Sequence, residues 1–301
     1  MIIVRLIGGL GNQMFEYAMA KSIALQRKDV LQIDLSWIDW FNKKTNSDIY
    51  GLQYFAITSR IRRKSLYNNL FSDKVLNIIN KCTPFHYKMY VYEKNFNYDD
   101  SIQKYKSSFL FFKEGYWQSY KYFIMFDHEI RKEFTFKKEY ISEYDQLVDS
   151  IHHSNSVSIH VRRGDYITNP ILSNLYNTYS IDYYLKSIEY ILSKVDNPVF
   201  FCFSDDISWV KKNLQISHYN INFIDIDSDV QSKEIGHKTN GYIDLFLMSL
   251  CKNNIIANSS FSWWGAWLNK NPDKIVIAPK KWFNDETKDT RDLIPNEWVR
   301  L

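Results

Sequence analysis

Hydrophobic residues in this chain follow two rhythms that alternate along its length. In the second half, short apolar runs at 156–162, 198–203, 221–225, 254–257 and 274–278 are separated by segments of helical period at 182–194, 206–214, 240–251 and 261–269. Apolar runs bounded by polar turns and alternating with amphipathic helices predict βαβ units and a parallel sheet. The first half starts the same way, with a strand over 2–7, a glycine turn, a helix over 12–27 and a strand over 30–34. It then becomes irregular and rich in Asn, Lys and aromatics before another strand-like run from Phe109 to Phe112. The polar stretch His152-His153-Ser154-Asn155 places a boundary near residue 150, with an α/β domain over 1–150 and another over 151–301. The pattern therefore predicts an α/β protein of two Rossmann-like domains facing across a cleft, without internal repeats.

Composition narrows the function classes only a little. A chain of 301 residues with 45% hydrophobic and 24% charged residues folds and can fill two cores. A net charge of +4 favours anionic ligands slightly and falls well short of a nucleic-acid-binding signature. Cys82, Cys202 and Cys251 are widely spaced, with neither a CxxC nor a zinc pattern, which fits a reducing compartment. The first residues read as a strand instead of a leader, and no apolar run reaches the length of a membrane span. A cytoplasmic protein is expected. The basic cluster Arg60-Ile61-Arg62-Arg63-Lys64, beside a helix-like segment, reads either as a solvated helix face or as a peripheral contact with the inner face of an anionic membrane.

The chemistry concentrates at strand ends. In Val157-Ser158-Ile159-His160-Val161-Arg162-Arg163-Gly164-Asp165, alternation puts Ser158, His160 and Arg162 on one face of a strand. The carboxyl end of a strand is where open α/β sheets bind ligands, and a guanidinium fork held there suits a phosphate. Structural salt bridges to Asp165 or another carboxylate are the alternative. Phe203-Ser204-Asp205-Asp206 closes a second strand, and Ala257-Asn258-Ser259-Ser260-Phe261-Ser262 closes a third and opens a helix. Capping explains one Asp or Ser at each place, while extra hydroxyls at a helix start fit a phosphate site. Gly8, Gly9 and Gly11 lie between a strand and a helix, but their spacing is neither GxGxxG nor that of a phosphate-binding loop ending in GK[ST]. Nicotinamide chemistry and ATP binding of the usual kinds are thereby disfavoured. Asp225-Ile226-Asp227-Ser228-Asp229 offers a diphosphate-bridging metal motif, against which stands a solvated loop. The many tryptophans also keep a non-catalytic carbohydrate-binding module in view, although two domains with phosphate-type strand ends exceed what such a module needs.

Taken together, these segments resemble the bacterial α-1,2-fucosyltransferases of glycosyltransferase family 11. The matching stretches are Gly8 to Phe15 with Tyr17-Ala18, Gly115-Tyr116-Trp117-Gln118, His160 to Tyr166, Phe203 to Asp206, Asp244 to Ser249 and Ile255 to Leu268. One departure is Glu16, where the family usually carries Gln. The resemblance implies a GT-B architecture and inverting transfer of L-fucose from GDP-β-L-fucose to O2 of a terminal galactose. It implies no metal or other cofactor. By the same resemblance His160 and Asp244 hold the guanine, Arg162 the β-phosphate, and Asp205 or Asp206 the ribose or neighbouring groups. Asn258, Ser259, Ser260, Phe261 and Ser262 line the phosphates, while Gly9, Gly11 and Asn12 face the fucose and acceptor. Trp117 and Gln118 are expected on the acceptor side. Asp165, the carboxylate nearest in sequence to the phosphate cluster, reads either as the general base or as a structural partner of Arg163. The implied partners are GDP-fucose and a galactose-terminated oligosaccharide, soluble or lipid-linked, of the kind assembled into surface polysaccharide.

Overall fold

A computed structural model describes residues 1–45, 48–62, 73–176, 178–214, 219–226, 241–285 and 287–301. The chain forms two compact units, Met1–Thr135 with Asp289–Leu293, and Phe136–Lys288 with Ile294–Leu301. The division falls before the polar stretch at 152–155, because the helix Asp145–His152 (α5) already belongs to the second unit. Its Ile151 is buried with Phe201, Phe203 and Leu247, so the polar residues are a turn into the next strand and not a linker. The excursion 289–293 is tied to the first unit by Asp292, whose carboxylate accepts from Lys121 Nζ at 2.5 Å and from the Tyr98 amide at 3.1 Å.

In the first unit, β1 (Ile2–Arg5) leads into α1 (Leu10–Gln26), then β2 (Leu31–Asp34), α2 (Ser36–Thr45) and β3 (Arg60–Arg62). The helix α3 (Asp73–Cys82), the strands β4 (Tyr90–Tyr92) and β5 (Leu110–Glu114), and α4 (Asp127–Glu133) follow. The strands pair in parallel in the order β3-β2-β1-β5-β4. The basic cluster thus begins as an edge strand and not as a helix face. Arg63 and Lys64 lie outside the described residues.

The second unit continues from α5 with β6 (Asn155–Val161), α6 (Gly164–Thr168), α7 (Pro170–Leu175), α8 (Ile181–Leu192), β7 (Pro198–Ser204), α9 (Ile207–Asn213) and β8 (Ile221–Phe223). It ends with α10 (Gly241–Leu250), β9 (Asn253–Ile255), α11 (Ser260–Leu268), β10 (Val276–Ala278) and β11 (Val299–Arg300). Its parallel sheet has the order β11-β10-β9-β6-β7-β8. Alternation along β6 and β7 sends Val157, Ile159, Val161, Phe200 and Cys202 into the core beneath α8, and Phe201 and Phe203 into the core beneath α10. Both faces being covered explains the nearly continuous apolar runs in the sequence.

In each sheet the chain winds out to one side of its first strand and then crosses to the other side. In the first unit the reversal falls between β1 and β5, and in the second between β6 and β9. Such switch points open a crevice at the carboxyl ends of the strands. The glycine turn follows β1 and residues 115–118 follow β5. The arginine pair follows β6, and Ala257 to Ser262 follow β9. The fold delivers the sequence-predicted clusters to these two crevices. No helix among the described residues is long and apolar enough to cross a membrane.

Candidate functional site

At the second unit's switch point, Arg162 is clamped. Its Nη1 lies 2.8 Å from Asp205 Oδ2 and its Nη2 2.6 Å from Asp165 Oδ1. Asp205 also accepts the Arg163 amide at 2.9 Å. It reaches both groups because residue 164 is glycine: a Cβ there would meet Asp205 Oδ2 at 2.5 Å. Arg163 turns elsewhere, pairing with Asp206 at 3.3 Å and laying its guanidinium 3.5 Å over the Trp209 ring. Of the two readings of this segment, the structure shows the salt bridges: both arginines are paired, and the Asp165 carboxylate is bound to Arg162 and not to Arg163. The two partners of Arg162 are unequal, since the Asp165 side chain is 45% exposed and that of Asp205 24%.

His160 is buried one step back on the same strand. Its Nδ1 lies 2.8 Å from Ser262 Oγ, and that oxygen already accepts the Ala257 amide at 3.0 Å. The hydroxyl can accept that amide and still either donate to Nδ1 or accept from it, so the pair fixes the ring's orientation. Burial, with Arg162 adding to it, pushes the imidazole down to about 3, so it is neutral at ordinary pH. Phe261 lies beside it at 5.3 Å between ring centroids. A Cβ on Gly241 would touch Phe261 at 3.7 Å, which brings the start of α10, and Asp244 on its first turns, to the same end of the sheet.

The turn that opens α11 is braced from behind. Asn258 Nδ2 donates to the Trp282 carbonyl at 2.9 Å, and the Asn258 carbonyl accepts from the Tyr166 hydroxyl at 3.2 Å. Tyr166 in turn stacks on Tyr176 at 4.4 Å. Asn258 and Ser262 thus hold the turn and the imidazole, Ser259 caps α11 through its backbone without a side-chain bond, and Ser260 and Phe261 are half-buried. Asp227, Ser228 and Asp229 of the acidic motif lie outside the described residues. Among the described residues no cluster of three or more His, Cys, Asp or Glu is grouped to hold a metal.

The first unit's switch point is built differently. Gly8 takes φ +71°, which glycine allows, and its carbonyl accepts Gln13 Nε2 at 2.9 Å. Gly9 is exposed with an ordinary φ of −79°, and a Cβ there would meet nothing within 4 Å. Asn12 Oδ1 accepts from Gln118 Nε2 at 2.7 Å, joining the turn after β1 to the loop after β5. Gly11 is buried within α1. Trp117, expected to face the acceptor, is only 2% exposed; its φ of +54° turns the ring inward against Phe112 and Tyr122.

Two buried carboxyls that sequence reasoning did not assign organise this end. Glu93 accepts the Tyr116 and Trp117 amides, each at 2.9 Å, and so sets the loop that carries Gln118. Burial pushes Glu93 up to about 7 against those two bonds. Glu16 accepts the Ile7 amide at 2.9 Å and is held well above the usual carboxylate range by burial, with Glu93 adding to it. A protonated carboxyl offers a donor and an acceptor, as an amide does, which accounts for Glu at a position where Gln is expected. Glycine at 115 lets Glu93 come this close, since a Cβ there would overlap Glu93 Cβ at 2.3 Å.

With this geometry in view, comparisons with known proteins decide the family. The model of "Glycosyl transferase family 11" matches residues 1–301. The chain belongs to glycosyltransferase family 11. It is 34% identical over 302 residues to an alpha-1,2-colitosyltransferase of Escherichia coli, covering 100% of this chain and 98% of the relative. It is 31% identical to the O-antigen biosynthesis glycosyltransferase WbnK of the same species, covering 98% and 99%. A mouse galactoside 2-alpha-L-fucosyltransferase, Sec1, is 24% identical over 100% of this chain and 74% of the relative. Among solved structures, the NodZ alpha-1,6-fucosyltransferase soaked with GDP-fucose matches with TM-score 0.52 and 14% identity over 89% of this chain and 92% of that one. The Arabidopsis thaliana FUT1 structure with GDP matches with TM-score 0.53 and 12% identity over 99% and 75%. These likenesses give the family 11 chain a GT-B-like α/β fold.

Proposed function

We propose that this family 11 enzyme is an inverting α-1,2-fucosyltransferase that moves L-fucose from GDP-β-L-fucose to O2 of a terminal β-galactose in a single displacement. The observation that carries the reading is Arg162, a guanidinium aimed by two carboxylates at the carboxyl end of β6, beside a neutral buried imidazole. A cation serves the diphosphate. A neutral imidazole next to Phe261, with Asp244 as acceptor, serves the guanine. Asp205 is the fixed partner of Arg162, and the more exposed Asp165 is the one a β-phosphate displaces.

As the C1–O bond breaks, negative charge gathers on the leaving diphosphate. Arg162 and the backbone amides at the start of α11 stabilise that charge more in the transition state than in the ground state. They take the part that a divalent ion plays elsewhere, so the reaction is proposed to need no metal. Inversion requires the galactose hydroxyl on the opposite face of C1 from the diphosphate, and the exposed, side-chain-free Gly9 beside Asn12 and Gln118 suits a closely packed sugar. The acceptor is a galactose-terminated glycan, soluble or lipid-linked, in surface polysaccharide assembly on the cytoplasmic side of the membrane. The O-antigen biosynthesis relative supports the surface-polysaccharide part of this setting.

Colitose is fucose lacking the 3-hydroxyl, so the colitosyltransferase relative makes C3 of the donor the point to test. Purified protein is incubated with EDTA, lactose or Galβ1-3GalNAc, and either GDP-fucose or GDP-colitose, and products are read by mass spectrometry and a linkage-specific α-1,2-fucosidase. A fucosylated, cleavable product formed with EDTA is expected. A product from GDP-colitose alone would move the donor assignment, and activity restored only by a divalent ion would overturn metal independence.

A further inference from the structure

Helix α2 displays aromatic rings that its own docking does not require. Ile38 is its buried residue, whereas Trp40 is 54% exposed and Trp37 and Phe41 are half-buried. Trp37 stacks on Phe41 at 5.2 Å and 17°, and Trp40 stands 6.4 Å from Trp37 at 48°. Lys44 Nζ sits 5.2 Å from the Trp40 ring. Clustered exposed aromatics commonly mark a binding surface.

The helix is coupled to the glycine turn. It leaves the carboxyl end of β2, the strand next to β1. Asn42 Oδ1 accepts the Ile49 amide at 3.2 Å, the Ile49 carbonyl accepts Gln13 Nε2 at 2.7 Å, and the same amide group donates to Gly8 at 2.9 Å. Gly51 lets this returning segment press on α1, since a Cβ there would meet Leu10 at 2.6 Å.

We propose that Trp37, Trp40 and Phe41 form a stacking subsite for neutral pyranose rings of the acceptor, beyond the galactose that receives the transferred sugar. The inference rests on the function proposed above. A galactopyranose ring offers a face of C–H groups that packs on an aromatic ring, with its hydroxyls left at the edge for polar side chains. Asn42, Asp48 and Lys44 flank these rings in the helix and the segment that follows it. Asp39 and Asp48 offset Lys43 and Lys44, which suits a neutral saccharide better than an anionic lipid surface.

The test compares wild type, Trp40→Ala and Trp40→Phe. Saturation-transfer NMR with a galactose-terminated tetrasaccharide reads which rings touch the protein, and initial rates compare that acceptor with lactose. Trp40→Ala is expected to remove saturation from the internal rings and to lower the tetrasaccharide-to-lactose ratio of kcat/KM by about tenfold, the scale of one aromatic anchor. Trp40→Phe should retain most of it. An unchanged saturation pattern, or equal losses on both acceptors, overturns the subsite. So does Trp40-dependent flotation with phosphatidylglycerol vesicles and unaltered saccharide contacts. If no saccharide saturates on wild type the subsite is also wrong, and GDP titration separately reports whether the donor site stands.

Discussion

The two switch points solve opposite electrostatic problems. In the second unit the crevice is built from full charges, with Arg162 between Asp165 and Asp205 and Arg163 against Asp206, around an imidazole kept neutral. In the first unit Arg5 and Lys113 stay within the strands, Arg5 paired to Asp34, and the loops after β1 and β5 carry amide side chains and a bare glycine turn, with two carboxyls nearby whose burial favours the protonated form. The contrast follows from the ligands each would meet. A diphosphate needs a charge already oriented for it, whereas a sugar needs hydrogen-bonding groups that do not compete as ions.

The largest expected break is Arg162→Ala, which should lower kcat by about 10²–10³, the usual effect of losing one preorganised charge donor. Near-normal turnover in a folded variant would sink the charged-crevice reading. Asp205 and Asp165 sharpen it further. Asp205→Asn should cost about tenfold or more in kcat/KM and weaken GDP binding, because it removes the charge that holds Arg162 and leaves one acceptor oxygen where two donors, Arg162 and the Arg163 amide, are now served. Asp165→Asn should leave GDP binding equal or tighter, since it removes an anion that the phosphate must displace. On that reading kcat should stay within about tenfold; a loss of about 10²–10⁴ in kcat with GDP binding kept would instead make Asp165 the general base.

Much of the second unit was legible because buried parallel strands announce themselves. β7 is apolar on both faces and β6 alternates apolar residues with small or neutral polar ones, so their ends, with His160, Arg162, Asp205 and Asp206, could be placed from the pattern alone. The pairing within the cluster was not legible. That Asp205 meets Gly164 depends on the register His160↔Phe203, a long-range fact. The edge strands β3 and β4 are three residues each, too short for an alternation to emerge. Glu93 lies in an irregular stretch and acts on backbone amides 23 and 24 residues away, which no local signal marks. Trp117 was read as sugar-facing by residue type, and its left-handed backbone sends it into the core instead.

Gly9→Ala tests the uncharged crevice. The φ of −79° accepts alanine and a Cβ meets no atom within 4 Å, so thermal stability should hold or rise slightly. Activity should nevertheless fall by about 10–10², because a methyl group would stand where the sugar packs and a shift of about 1 Å carries that penalty. Full activity with unchanged Tm would place the sugar elsewhere.

The finest distinction is the sign of pH dependence. The Glu93 carboxyl rises from 4.5 to about 7 on folding, so the native state binds the extra proton within that window. Stability of the first unit should therefore fall as pH climbs from 4.5 to 7. His160 drops from 6.5 to about 3, so there the unfolded state binds the extra proton. Stability of the second unit should fall as pH descends from 6.5 toward 3. Either slope is limited to about 1.4 kcal/mol per pH unit for a single group. Amide exchange resolves the two, with β1 and β5 reporting one slope and β6 the other between pH 4.5 and 6.5. Glu93→Gln should make the first slope shallower, leaving the part that Glu16 carries, and leave the second unchanged. Slopes of the same sign in both sheets would mean that one crevice does not hold its proton as its burial dictates, and the contrast between a crevice for charge and a crevice for sugar would lose its electrostatic basis.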